Sequence, residues 1–435
     1  MSSKRKLAVV YFLFGVSIVM NLNPRVLWAF AYTIFNIASF VIILEQGVLI
    51  GDLDGFAATS AVDLTLTLLM VCGSIFGLLG IHAFLCRVHL SNSRRSIVGS
   101  RMAPYMTVLL LIFIVYVAHT GLFIAGSPER GGSVVSALWV VFNLDALFFV
   151  YYATCREDRG FKLNLFLWVI SFLQRGWFAY LFFIIGMESF RIIREKRLFR
   201  WRSFILLLPF IAAYPFLDLV KVYVRVSKSV TLSDAVGIVE NGLSMADFSW
   251  INSLQLAVEK IIGRVQLISH AEFVKDNISY FSALPGGALN PFWKEGVLGI
   301  IFDRIFGEPH GNDAGQALAS FIAPSLDSSW NVNPSLIGWL SMHLDALPFA
   351  IIYLICLCVV SVWLHQQLTR SVASFDRLWF IWLSMLIPGW IAQFVSFLLA
   401  QAIFVLVARS VGATARIEKA LHGSCITSYK TKGAK

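Results

Sequence analysis

Residues 163–186 read LNLFLWVISFLQRGWFAYLFFIIG, and Arg175 is the single charge among them. About 20 apolar residues suffice to cross the hydrocarbon core of a bilayer as a helix. A guanidinium at the middle of a lipid-exposed helix costs at least about 2.5 kcal/mol. Gly176 follows Arg175 directly and permits a chain break there. The stretch is therefore expected to form two short helices meeting near Arg175, with the guanidinium turned into a wet cavity.

Outward from this point the chain repeats the pattern. Of its 435 residues 58% are hydrophobic and 14% charged, and the mean hydropathy is +0.76. Soluble domains carry roughly 25% charged residues, so a soluble fold is excluded. Long apolar runs fill 7–20, 26–50, 64–86, 105–125, 134–153, 203–219, 336–364 and 378–407. The last is long enough for a tight hairpin broken at Pro388-Gly389. The expected fold is an all-α polytopic membrane protein with about 11–12 transmembrane helices, counted by span length. Short alternating segments, the mark of a membrane β-barrel, are absent.

The formal charge of +10 comes from basic residues in short loops, which mark the cytoplasmic side. Arg87, Arg94, Arg95 and Arg101 form one such group. Arg191, Arg194, Lys196, Arg197, Arg200 and Arg202 form the densest. Lys4-Arg5-Lys6 precedes an apolar run without a small-residue cleavage site, so an uncleaved first helix is expected. No basic and aromatic groove points to nucleic acid. None of the six cysteines lies in the long loop, and Cys356-x-Cys358 sits inside an apolar run, where packing is the ordinary role.

One crossing after the densest basic cluster places the long segment from Val220 outside, which in a bacterium is the periplasm. The expected organisation is membrane helices over 1–219, a large loop over 220–335, membrane helices over 336–408 and a basic tail over 409–435. Within the loop, Leu254, Val258, Ile261, Ile262, Val265 and Ile268 recur at helical spacing and predict an amphipathic helix. Beyond it, Pro285-Gly286-Gly287, Pro291, Gly307 and Pro309-His310-Gly311 predict sharp bends. A loop this long is uncommon and reads as functional.

No Walker A loop, His-Glu-x-x-His or Gly-x-Ser-x-Gly occurs, which argues against nucleotide hydrolysis, zinc proteolysis and the usual serine hydrolase site. What remains is a set of bases: Arg175, Arg225, Arg264, Arg304, His270 and His310. An Arg fork suits phosphate through paired charge-assisted hydrogen bonds. A neutral His near pH 7 can take a proton from a sugar hydroxyl. The ordinary alternatives are a solvated charge for Arg264, an ion pair of Arg304 with Asp303 or Glu308, lipid headgroup contact for Arg225, solvent exposure for His270, and a buried pair of His343 with Asp345.

Two motifs carry a family resemblance. Leu173-Gln174-Arg175-Gly176 resembles the Arg-Gly site of the bacterial O-antigen polymerase and O-antigen ligase superfamily. Asn331-Val332-Asn333-Pro334-Ser335-Leu336-Ile337-Gly338 resembles the N-x-T-P-S-x-x-G stretch of oligosaccharide repeat-unit polymerases. That resemblance implies a glycosyltransferase of the GT-C class in the bacterial inner membrane. It would act without metal or other cofactor on undecaprenyl-diphosphate-linked oligosaccharides, with inversion, alongside a chain-length regulator. By position Arg175 matches the family's cavity arginine, and Arg264 and Arg304 are looser matches to its loop arginines. Taken with the residue chemistry, the expected catalytic residues are Arg175, Arg264 and His310, and the expected substrate contacts are Arg304, Arg225, Asn331 and Asn333. Ligases carry a His-Asn pair where this chain has Asn331 and Asn333, which favours a polymerase. A ligase-type transferase, a transferase using Asp52 or Asp54 as base, and a flippase or exporter of lipid-linked oligosaccharide are the competing readings. No internal repeat relates the two halves, which counts against a transporter.

Overall fold

A computed structural model describes residues 23–90, 102–124, 133–177, 179–194, 262–263, 265–284, 288–307, 310–323, 331–369 and 371–430. The fold is mostly helical, and the described residues contain no strand, only isolated bridges at Val48–Ala57 and Leu289–Asn312. Six helical spans among them are long and apolar enough to cross a membrane: Pro24–Gln46, Ala61–Arg87, Met102–Thr120, Val134–Cys155, Leu344–Leu368 and Ile391–Val411. The protein is a multi-pass membrane protein.

Helix α1 (Pro24–Gln46) starts where the Asn23 side chain accepts from Arg25 N–H and Pro24 takes the first position. It packs against α2 (Ala61–Leu90), and α3 (Met102–Thr120) follows. The span expected at 134–153 is two helices, α4 (Val134–Phe142) and α5 (Leu144–Cys155). Asn143 divides them, and its Oδ1 accepts from Ala146 N–H to open the second.

The break expected at Arg175 is present. Helix α6 (Phe161–Gln174) ends there and α7 (Ala179–Arg194) begins after it. Gly176 adopts φ +73°. Its N–H bonds to Leu173 O at 3.0 Å, and Trp177 N–H bonds to Phe172 O at 2.9 Å, the paired closure of a Schellman motif.

From the long loop, α8 (Ile268–Asp276) is almost wholly buried between α2 and the later α12 (Ser335–Met342). Leu267 N–H donates to Asn36 Oδ1 at 2.8 Å, and Glu272 holds Lys275, Thr59 and Thr67. These bonds press the end of the loop onto α1 and α2. The intervening elements are α9 (Ile278–Ser282), α10 (Val297–Phe306) and α11 (Ala314–Ile322). The amphipathic helix expected from Leu254 to Ile268 falls largely outside the described residues.

The span expected at 336–364 is also divided. Short α12 ends at Met342, and α13 (Leu347–Leu368) makes the crossing. Then α14 (Val372–Met385) turns at Pro388-Gly389 into α15 (Ile391–Lys430). The hairpin break lies where the sequence puts it, and Gly389 has φ +79°. Helix α14 is the centre of the bundle, packed on α1, α5, α7 and α15. From Ser374 to Leu383 every side chain is buried, the mark of a helix enclosed on all sides. The outer helices expose Phe30, Ile34, Leu69, Phe84, Val115, Phe349 and Ile352, an apolar belt suited to lipid. At one end Asp376 is gripped by both Arg25 of α1 and Arg194 of α7.

Candidate functional site

Two further polar assemblies hold residues singled out in the sequence. The first surrounds Arg175. Its Nη1 and Nη2 donate to the two Asp145 oxygens, each at 2.7 Å, and its Nε donates to Ser171 O at 3.0 Å. The guanidinium also lies over the Phe113 ring, 5.1 Å from its centroid. Trp168 Nε1 and Tyr180 Oη donate to Asp145 as well, at 2.9 and 3.3 Å. Arg175 is only 4% exposed. The expected open cavity is therefore corrected: the guanidinium is committed to an internal carboxylate, because the break between α4 and α5 delivers Asp145 opposite the break between α6 and α7. Ser171 Oγ and Gln174 Oε1 nearby are buried and find no hydrogen-bond partner among the described residues.

The second assembly is built from the end of the loop and the start of α15. Asp303 is buried on α10, between Lys294 Nζ at 3.0 Å and His310 Nδ1 at 2.6 Å. The His310 hydrogen bond, reinforced by Lys294, holds the Asp303 carboxyl below the usual carboxylate range. His310 Nε2 lies 3.2 Å from Asn290 Nδ2. The same amide donates to Gly311 O and to Asp313 Oδ1, both at 2.9 Å. Asn290 thus ties the two bends of the loop together.

Beside this network Glu295, Asp313, Gly315, Asn331, Val332 and the chain from Gly389 to Gln393 line a polar pocket. Glu295 is 2% exposed. Its Oε1 accepts from Ala314 N–H at 3.2 Å and lies 3.6 Å from His343 Nε2. Burial pushes this carboxyl above its usual range, and the nearby Asp313 adds to the rise. Close backbone packing shapes the walls. Gly296, at φ +78°, leaves room for Ala392, where an added Cβ would sit 2.7 Å from its carbonyl oxygen. Ser335, itself at φ +62°, donates its N–H to Pro388 O at 2.9 Å, and Leu336 N–H donates to Ile387 O at 2.8 Å. The Asn333-Pro334-Ser335 turn is thereby docked on the Pro388-Gly389 break.

Comparison with protein-family models, curated proteins and solved structures finds no match for this chain.

The residues singled out in the sequence are thus distributed as follows. Asn331 is exposed at the pocket wall, and Asn333 lies in the adjoining turn. His310 is in the neighbouring network. Arg304 is exposed on α10, and its expected partner Asp303 is taken by Lys294 and His310. Arg225 and Arg264 lie outside the described residues. His270 is buried rather than solvent-facing, with neither ring nitrogen hydrogen-bonded among the described residues, and burial lowers its pKa. His343 faces Glu295, not Asp345, because a 3-10 turn over Leu344–Ala346 separates the two. Sequence reading missed Asp145, Asn290, Glu295 and Asp313. Asp145 offered a signal, being an acid inside an apolar run; the others sit in a polar loop where acids and amides are ordinary. Among the described residues no group of three or more His, Cys, Asp or Glu side chains forms a metal site.

Proposed function

We propose that the protein is a polysaccharide repeat-unit polymerase. It would join undecaprenyl-diphosphate-linked oligosaccharides at the periplasmic face of a bacterial inner membrane, as a metal-independent inverting transferase of GT-C type. In this reading the chain has about 11–12 membrane helices, counted by length. The observation that carries the proposal is the position of the Asn331–Gly338 motif. It closes the loop onto a polar pocket lined by Glu295, Asp313 and Asn331, at the first turn of a membrane helix. A hydroxyl acceptor needs a proton acceptor and amide or carboxylate partners at such a place.

Arg175 does not carry this reading. Its fork geometry suits a diphosphate as well as a carboxylate, so lipid diphosphate would have to displace Asp145 to use it. That buried intramembrane ion pair also favours a second reading, a transporter of lipid-linked oligosaccharide, since charge within membrane helices marks transport paths too. Purified protein in nanodiscs, given a lipid-diphosphate-linked repeat, separates the two. Formation of longer lipid-linked chains supports the polymerase. Unchanged single repeats, with movement across a vesicle bilayer, would replace it by the transporter.

A further inference from the structure

Resting on the polymerase reading, we propose that Glu295 is the catalytic base of the pocket, with His343 positioning it, and that the group it deprotonates is a sugar hydroxyl of the acceptor.

The buried carboxylates of the described structure differ in what holds them. Asp145 is taken by Arg175, Asp376 by Arg25 and Arg194, Glu272 by Lys275 and two threonines, and Asp303 by Lys294 and His310. Asp313 accepts from Asn290 and, at 3.4 Å, from Gly296 N–H. Glu295 has only the Ala314 N–H on Oε1, and among the described residues Oε2 makes no hydrogen bond. It is also a pocket-lining residue.

His310, the base expected from sequence, is less suited. Its Nδ1 is held by Asp303, and its Nε2 faces the Asn290 amide at 3.2 Å. His343 is different: its Nε2 is buried, makes no hydrogen bond among the described residues, and lies 3.6 Å from Glu295. Its ring is held edge-on to Trp339 and Phe292, at 5.1 and 6.2 Å between centroids. A small approach closes the contact and orients the carboxyl. The titratable groups facing Glu295 are His343, Asp313 and Tyr353. Burial pushes the Glu295 carboxyl up, the direction that suits a general base. Trp390, Asn331 and Gln393 line the same pocket and bring an aromatic side chain and two amides to it.

The step balances. The acceptor oxygen forms a bond to the donor anomeric carbon as its proton passes to Glu295. The bond from that carbon to the phosphate oxygen breaks, and the lipid diphosphate leaves with the electron pair.

The test uses the full chain in nanodiscs with a lipid-diphosphate-linked repeat. Glu295→Gln keeps the volume and the acceptor for Ala314 N–H. It is expected to lower kcat about a hundredfold or more, with KM and melting temperature unchanged. His343→Gln should lower kcat less and displace the acidic limb of the pH profile. A hydrophobic carbodiimide, which needs no variant, should modify Glu295 in the wild type and stop elongation. Wild-type elongation with Glu295→Gln within about threefold of it, or with Glu295 unmodified by a reagent that reaches the pocket, overturns the assignment and leaves the polymerase intact. A wild type that elongates nothing overturns both.

Discussion

Asp145 and Arg175 meet through two parallel hydrogen bonds of 2.7 Å, each residue standing beside a break between two helices. Neither break is useful alone. The Asn143 turn would leave a carboxylate buried in apolar surroundings, and the Gly176 turn would leave a guanidinium there. Removing one partner of a buried pair costs about 3–5 kcal/mol, whereas replacing both by apolar groups is often neutral. Asp145→Asn and Arg175→Gln are each expected to lower thermal stability strongly in detergent. The double variant Asp145→Leu/Arg175→Met should recover most of it. Elongation by that folded double variant would exclude Arg175 from diphosphate binding, and its loss with the fold intact would assign Arg175 that role.

Gly389 and Gly296 are expected to resist even alanine. Both lie at positive φ, where a side chain costs about 1–2 kcal/mol before any contact is counted. A Cβ on Gly389 would also stand 2.4 Å from Ser335 O. Gly389→Ala should therefore lower the melting temperature and detach the Asn333-Pro334-Ser335 turn, read as faster amide exchange at Ser335 and Leu336. Gly47→Ala, at φ +71° with open space around it, is the control that pays only the backbone cost.

Asp303 makes the stability of the loop depend on pH. Its folded pKa is depressed, first by His310 and then by Lys294. The folded state therefore binds fewer protons than the unfolded one, and the stabilisation is complete above the unfolded value of about 3.9. It disappears as pH falls through the folded value. The gap in melting temperature between wild type and Asp303→Asn should be widest near neutral pH and close in acid. A gap that widens below pH 4 would contradict this.

The proposed orientation is open to direct labelling. Asn331 is exposed at the loop side of the pocket. In a background with the native cysteines replaced, Asn331→Cys should react with a membrane-impermeant thiol reagent added to intact spheroplasts. Protection until the membrane is opened would place the loop on the other side.

Composition and hydropathy were enough to decide the fold class, because apolar side chains in such excess can be covered only by lipid. The chain breaks at Gly176 and Pro388-Gly389 were also readable, since one needs a left-handed backbone and the other lacks an N–H. The division at Asn143 was not, because an asparagine within an apolar run announces no turn until its side chain caps the next helix. The site divides in the same way. Asn331, His310 and Arg175 stand out by residue type, but their partners do not. Asp145 lies 30 residues from Arg175, and Glu295 lies 48 residues before His343. Such separations carry no periodic signal. Whether a carboxyl is neutralised by an arginine or left facing a pocket depends on which helices pack together, and only the tertiary structure decides that.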